Sequence, residues 1–558
     1  MILSRLLSIL SALAVCAAST PSSFSQPAQS ISAQEHGPVV DAPAGKVEGR
    51  LEGDLYVFKG IPFAQPPVGS LRWKPPIAMP RWTGVKSAFD FGPACLQSKP
   101  QLSNVYTRDP MPMSEDCLTL NIWAPHDARK APVFFWIYGG ALAGGASREP
   151  FYDGTKLADQ GIVLVSINYR LGVLGWLAHP ELSKESPLGI SGNYGLLDQI
   201  EGLKWVRRNI GAFGGDPSNV TIAGESAGAL SVMYLMASPE ARGLFAKAIA
   251  ESAYMINTPE LKRRSFGTPS AEASGATLAA ALHAPNIAAL RAMDGATLTD
   301  AATMARFGPW GAIDGHILTR QLVDVFDRGE QAPVPLLTGF NSGEIRSLMI
   351  LAPPPPKDAS AYESIIRDRY RDLANEFLQL YPSSNMKESI IATTRDALYG
   401  WTSVRLVTKQ TKIGQASYLY FFDHGYPAED AAGLHGFHAS ELPFVFGTPD
   451  RTPPLWPRIP NTEEQIRLSD AMIGYWSSFA RTGHPVAQNQ PAWPAFGSKG
   501  AYMAITDSPH PSSDILPGMY ELNEQVVCRR RASGDIPWGW NVGVASPRLP
   551  DPTPQCQK

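Results

Sequence analysis

The sequence predicts an α/β protein built on a mostly parallel central sheet with helices on both faces. Three observations carry that expectation. Strongly apolar runs, such as "VFFWI" at residues 133–137 and "VPLLT" at 334–338, read as strands buried on both faces. These runs lead into Gly-rich or polar loops, the places where open α/β sheets gather ligands and reacting groups. Finally, "NVTIAGESAGALSVMYLMA", residues 219–237, changes its pattern midway, passing from a short buried strand through one sharp turn into a helix.

The bulk numbers agree with a large globular protein. The chain has 558 residues, 44% of them apolar, which is ample for an extensive core. Length alone would allow about three domains at ~150 residues each. The motifs described below run from Val47 to Trp493 without a linker, so a single catalytic domain over residues 44–558 is expected. A net charge of −3 with both signs interspersed offers no basic face, and no nucleic-acid partner is expected. The 50 Pro and 49 Gly are scattered, which reads as many ordered turns.

At the start of the chain, Arg5 precedes an apolar run over residues 6–18. The run is too short to span a membrane and fits a secretory signal peptide, assigned to residues 1–18 with cleavage left open among Ala17, Ala18 and Ala33. Residues 19–43 read as a flexible leader. Val15 stands before Cys16 where lipid-attachment signals carry a small residue, which argues against a lipoprotein. Removing the signal leaves Cys95, Cys117, Cys528 and Cys556, an even set that points to disulfides in an exported chain. Three pairings are open on paper. The near-neighbour one, Cys95–Cys117 with Cys528–Cys556, closes short loops and is the expectation. No second apolar run has transmembrane length, so a secreted or periplasmic protein without a membrane span is expected.

Within the strand–turn–helix segment sits Gly224-Glu-Ser-Ala-Gly228, a G-x-S-x-G. In that context the pattern places a serine on a strained turn, with small neighbours letting the backbone pass and a helix N-terminus facing the reacting carbonyl. Ser226 is the candidate nucleophile. The strand at 133–137 continues into "YGGALAGG", whose small residues let backbone N–H groups point at a developing oxyanion.

Longer patterns then carry a resemblance. "FGGDPSNVTIAGESAG" (213–228) and "EDCLTLNIWAP" (115–125) resemble the two signatures of the type-B carboxylesterase/lipase family, which includes the cholinesterases. "FKGIPFAQPPVGSLRWKPP" (58–76), "NYRLGVLGW" (168–176) and "FARTGHP" (479–485) are similar to family blocks in family order, so the likeness spans about residues 47–493. It implies an α/β-hydrolase fold, with insertions between strands forming an active-site gorge. It also implies a serine carboxylesterase of bacterial type that works through an acyl-enzyme, without metal or organic cofactor.

Site residues follow from the same resemblance. Gly140 and Ala141, with Ala227 after the nucleophile, would donate to the oxyanion, a contribution of ~3–4 kcal/mol per donor in other enzymes. Tyr138 and Ala141 depart from the commonest His-Gly-Gly-Gly wording, though alanine leaves its N–H free. The family's strand, Gly, Asn-x-x-Glu wording matches Gly339 and "NSGE" at 341–344, making Glu344 the acid. For the base, "GLHGFHASELPFVFG" offers two histidines. His435 precedes a glycine, as the family base often does. The family register puts the base three residues before the acidic residue that opens the run to Val-Phe-Gly, and counting back from Glu441 selects His438. The H-x-x-H spacing lacks the further ligands of a metal site, and none is expected.

Glu225, Trp310, Arg306, Arg346 and His435 are candidates for the pocket or its approach. The stretch from Cys95 to Cys117 contains Tyr106 but lacks the tryptophan by which cholinesterases hold a choline cation, which argues against choline esters. The expected function is an exported serine carboxylesterase hydrolysing small to medium, uncharged or aromatic small-molecule esters. A lipase acting at a lipid interface is the rival reading. A non-catalytic binding protein on the same fold is disfavoured because Ser226, Glu344 and His438 are all present.

Overall fold

The computed structural model describes residues 37–99, 102–109, 111–539 and 542–556. The expected signal peptide at 1–18 and the leader up to residue 36 lie outside them. The first element is a hairpin in which Val39–Ala42 pairs antiparallel with Gly45–Glu48, which in turn runs parallel to Val85–Ser87. The boundary expected at residue 44 therefore falls inside ordered structure. Val40 and Val47 pair across the hairpin and pack on the main core, which gives this polar-looking stretch a reason to fold back.

The centre of the molecule is an eleven-stranded sheet. Its strands are β1 Arg50–Glu52, β2 Leu55–Pro62, β3 Thr119–Pro125, β4 Ala131–Ile137, β5 Val163–Ile167 and β6 Gly215–Glu225. They continue with β7 Lys247–Glu251, β8 Leu336–Asn341, β9 Ser417–Phe422, β10 Ala501–Ile505 and β11 Pro509–Ser513. The spatial order is β1-β2-β3-β5-β4-β6-β7-β8-β9-β10-β11. From β5 across to β10 all neighbours are parallel. The flanking strands are antiparallel. Every residue of β4 and β5 is buried, as strands covered on both faces require.

Helices cover the two faces. Phe135 and Ile222 are register partners, and Phe135 lies under Gly202 of helix Tyr194–Asn209. Phe134 and Thr221, one residue earlier in each strand, face the other way, where the Thr221 hydroxyl donates to the Ala480 carbonyl of helix Glu463–Thr482. Chain order reverses across β4: the connection from β4 leads to β5 on one side, and the next leads back to β6 on the other. That reversal opens a crevice beyond the carboxyl ends of β4 and β6, where the fold offers a binding site. Both disulfides pair near neighbours, Cys95–Cys117 and Cys528–Cys556. Among the described residues no helix is long and apolar enough to cross a membrane.

Candidate active site

Ser226 follows the last residue of β6 and precedes helix Ala227–Ala237, with φ 56° and ψ −120°. A non-glycine residue in that region costs about 1–3 kcal/mol, which the surroundings must repay. They do so by close approach. The Ser226 amide donates to the Glu251 carbonyl at 2.9 Å, and the Leu230 amide donates to the Ser226 carbonyl at 2.9 Å. A methyl group at Gly228 would fall on the Ile137 carbonyl oxygen, and one at Gly224 would come within 2.7 Å of the same atom. The G-x-S-x-G spacing is thus the condition for β4, β6 and the helix to meet at the turn.

The loop after β4 bends through left-handed backbone at Gly140, Ala141 and Leu142, with φ of 107°, 56° and 58°. The Gly140 carbonyl accepts from Ala143 and Gly144 at 3.0 and 2.9 Å, which fixes the loop as a tight coil. The amides of Gly140, Ala141 and Ala227 donate to no acceptor among the described residues. The loop is braced at both ends. The Tyr169 hydroxyl donates to the Tyr138 carbonyl at 2.9 Å, and Gln97 exchanges two 2.9 Å hydrogen bonds with the backbone of Gly145.

Glu344 and His438 come from loops beyond β8 and β9, and the two loops are stitched together. The Gly343 amide donates to the Gly436 carbonyl and the Asn341 side chain to the Phe437 carbonyl, each at 2.9 Å. Glu344 is fully buried; one of its oxygens accepts from the Asn341 amide at 2.9 Å, and the other pairs with His438 Nδ1. That contact engages Nδ1 and leaves Nε2 to face the other way. Nε2 lies 3.0 Å from Glu225 Oε1, yet that oxygen has no hydrogen-bond donor, so the contact is one of charge and does not commit the Nε2 proton. Burial alone would push the imidazole down, but Glu225 and then Glu344 more than reverse this, and the His438 pKa is raised to about 9. Burial also pushes Glu225 up to about 7, with His438 pulling against it. Above the site, the Tyr106 hydroxyl donates to the His438 carbonyl and pairs with Ser347 Oγ, both at 2.7 Å.

The remaining candidates have other partners. His435 is half exposed, with Nδ1 2.6 Å from Asp430 and Nε2 3.3 Å from Asp423. Arg346 pairs with Glu388 at 2.9 Å. Trp310 and Arg306 line a cavity of about 460 Å³ together with Trp176 and Phe307; its lining includes neither Ser226 nor His438. Gln97 and Glu251 carry no motif in the sequence, and Glu441 serves there only as a register mark, although both acids are fully buried close to Glu225. A carboxylate closing the apolar run "KAIAE" is the signal that could have flagged Glu251.

With the geometry in view, comparison with known proteins is direct. The sequence profile described as the Carboxylesterase family matches residues 36–518. Fumonisin B1 esterase of Sphingopyxis macrogoltabida is 36% identical over 481 residues, covering 83% of this chain and 85% of that protein. Para-nitrobenzyl esterase of Bacillus subtilis (strain 168) is 36% identical over 479 residues, covering 84% and 95%. Among solved structures, a PNB esterase superposes with a TM-score of 0.76 at 34% identity, covering 87% of this chain and 99% of that one.

Proposed function

The chain belongs to the carboxylesterase family and is a carboxylic ester hydrolase, and on that premise we propose that it works through an acyl-enzyme on Ser226. The observation that carries the reading is the Glu344–His438 pair, with one imidazole nitrogen held and the other left uncommitted. Ser226 Oγ attacks the ester carbonyl carbon as its proton passes to His438 Nε2. The oxyanion is received by the amides of Gly140, Ala141 and Ala227. The carbon–oxygen bond to the alcohol breaks, and the alcohol leaves with the proton from Nε2. Water then attacks the acyl carbon, gives a proton to His438, and the acid departs as Ser226 recovers its own. Glu344 holds the ring and stabilises the imidazolium throughout.

The substrates proposed are neutral esters of small to medium size. Support comes from the acidic surroundings of Ser226, where Glu225 and Glu344 would repel an anionic acyl group. The name of one relative, para-nitrobenzyl esterase, makes para-nitrobenzyl esters the first neutral probe to try. The decisive experiment is kcat/KM over a p-nitrophenyl ester series from acetyl to palmitoyl, below and above substrate solubility, with Ser226→Ala as control. A maximum at short chains that vanishes in Ser226→Ala supports the reading. Activity retained by Ser226→Ala sinks it, and a rise with long chains on emulsification replaces the esterase with a lipase. Export is proposed from the apolar run at 6–18 and the two disulfides; the mass of the mature protein, with or without that run, tests it.

A further inference from the structure

Behind His438 lies a second row of polar groups that the hydrolytic steps do not use. Parallel pairing sets Glu225 beside Glu251, Glu251 beside Gly339, and Gly339 beside Tyr420. The side chains of Glu225, Glu251 and Tyr420 therefore leave the same face of the sheet. Gly339 supplies the room: a Cβ there would fall on the Tyr420 ring. Helix Glu463–Thr482 closes this face, its Trp476 donating to Glu251 Oε1 at 3.2 Å and lying 5.5 Å, centre to centre, from the Tyr420 ring. Glu441, from the loop of His438, joins the row and takes the Asn341 side-chain N–H on one oxygen.

Glu251, Glu441 and Tyr420 are all fully buried. Glu251 Oε2, Glu441 Oε1, Asn341 Oδ1 and the Tyr420 hydroxyl have no hydrogen-bond partner among the described residues. Acceptors thus outnumber donors among these buried groups. The charges do not balance either. Glu225, Glu251, Glu344 and Glu441 act on one another, the cation among them is His438, and Arg395 acts from outside through Glu344. Glu225 and Glu344 touch the imidazole; Glu251 and Glu441 do not. A second unpaired anion one strand away from Glu225 would be repelled with little solvent to screen it.

We propose that Glu251 and Glu441 are neutral carboxylic acids in the working enzyme, positioning residues whose bound protons leave Glu225 and Glu344 as the anions facing His438. As acids they add two O–H donors where acceptors lack them. They also limit the negative charge on the ring, so that His438 is not held so firmly as imidazolium that it fails as a base. The titration tendencies agree. Burial pushes Glu251 up, the Trp476 hydrogen bond opposes this, Glu225 adds to it, and the result is about 8. Burial, then Glu225, Glu251 and Glu344, push Glu441 well above the usual range. The other ionisable neighbour on this face, Tyr420, is a phenol held neutral by burial.

The inference rests on His438 as the base, but its first two tests do not use turnover. A carboxyl that stays protonated in the folded protein and ionises in the unfolded chain costs stability as pH rises from the unfolded value of ~4.3. That cost stops growing once pH passes the folded value. Glu251→Gln and Glu441→Gln remove it, so the Tm of each variant minus that of the wild type grows by several degrees between about pH 5 and pH 8. Infrared spectra of the wild type at neutral pH show a protonated-carboxyl carbonyl band that shifts in heavy water and weakens in each variant. A flat or falling Tm difference, or a wild-type spectrum without that band, overturns the proposal; the wild-type spectrum serves even if a variant fails to fold. The acid limb of kcat/KM makes the link to catalysis. Glu225→Gln moves it to lower pH and Glu251→Gln leaves its midpoint in place; an equal shift in both overturns the assignment. Loss of the Ser226 reading would instead show as activity in Ser226→Ala, with these spectra unchanged.

Discussion

The turn that carries Ser226 and the loops that carry Glu344 and His438 meet through the contact of Glu225 with His438 but are shaped by opposite means. The turn is set by exclusion: Gly224 and Gly228 lie where any side chain would meet the Ile137 carbonyl, and Ser226 keeps a left-handed φ of 56° because its neighbours leave it no other place. The Glu344 and His438 loops are set by directed bonds, from Gly343 to Gly436, Asn341 to Phe437, and Glu344 to both the Asn341 amide and His438. The difference teaches where each side is fragile. One cannot accept an atom, and the other cannot lose a donor or a charge.

Four substitutions separate the two modes, taken from the largest expected effect downward. Gly228→Ala adds a methyl group against backbone that cannot yield, at a cost of roughly 3 kcal/mol or more; circular dichroism and activity together should show an unfolded or inactive protein. Glu344→Gln keeps the volume and removes the charge, so kcat should fall by ~10³–10⁴ with little change in Tm. A loss of stability in that variant would mean that the Glu344–His438 pair also holds the two loops together. Glu225→Gln removes one of the two carboxylates that raise His438 to about 9. The neutral base accumulates as pH rises through that value, so the variant's acid limb in kcat/KM should move down. Tyr106→Phe deletes one hydroxyl on the His438 carbonyl and should cost ~1 kcal/mol in Tm-derived stability or a severalfold change in kcat/KM.

The part of this architecture that sequence conveys is local. The switch from strand to helix around Ser226 lies within nineteen residues, 219–237, and its glycines state the steric requirement outright. The family register, counted back from Glu441, distinguishes the two histidines, and the one so selected is the one that meets Glu344, while His435 turns to Asp430. What sequence does not convey is register between distant strands. Glu251, Gly339 and Tyr420 form one row only because β7, β8 and β9 align in a particular way. No periodicity within any of the three strands encodes that alignment. The same holds for Gln97, an ordinary polar residue until the loop after β4 is placed beside it. The hairpin at residues 39–48 was hidden for another reason: its strands are short, and of their three valines only Val40 and Val47 reach the core that gives them value.

The segment closed by Cys95 and Cys117 reaches the site at two anchors, Gln97 on the loop after β4 and Tyr106 on the His438 backbone. It behaves as an interchangeable cassette. Its ends are locked covalently, Ser98, Arg108 and Glu115 tie it further to Thr303, Glu149 and Arg72, and none of the groups proposed to react belongs to it. Substitutions elsewhere in the segment are therefore expected to change which esters are admitted while leaving the groups proposed to react untouched. Libraries confined to this interval, with Gln97, Tyr106, Arg108 and Glu115 held constant, would read that change as a shift in kcat/KM between esters at unchanged Tm.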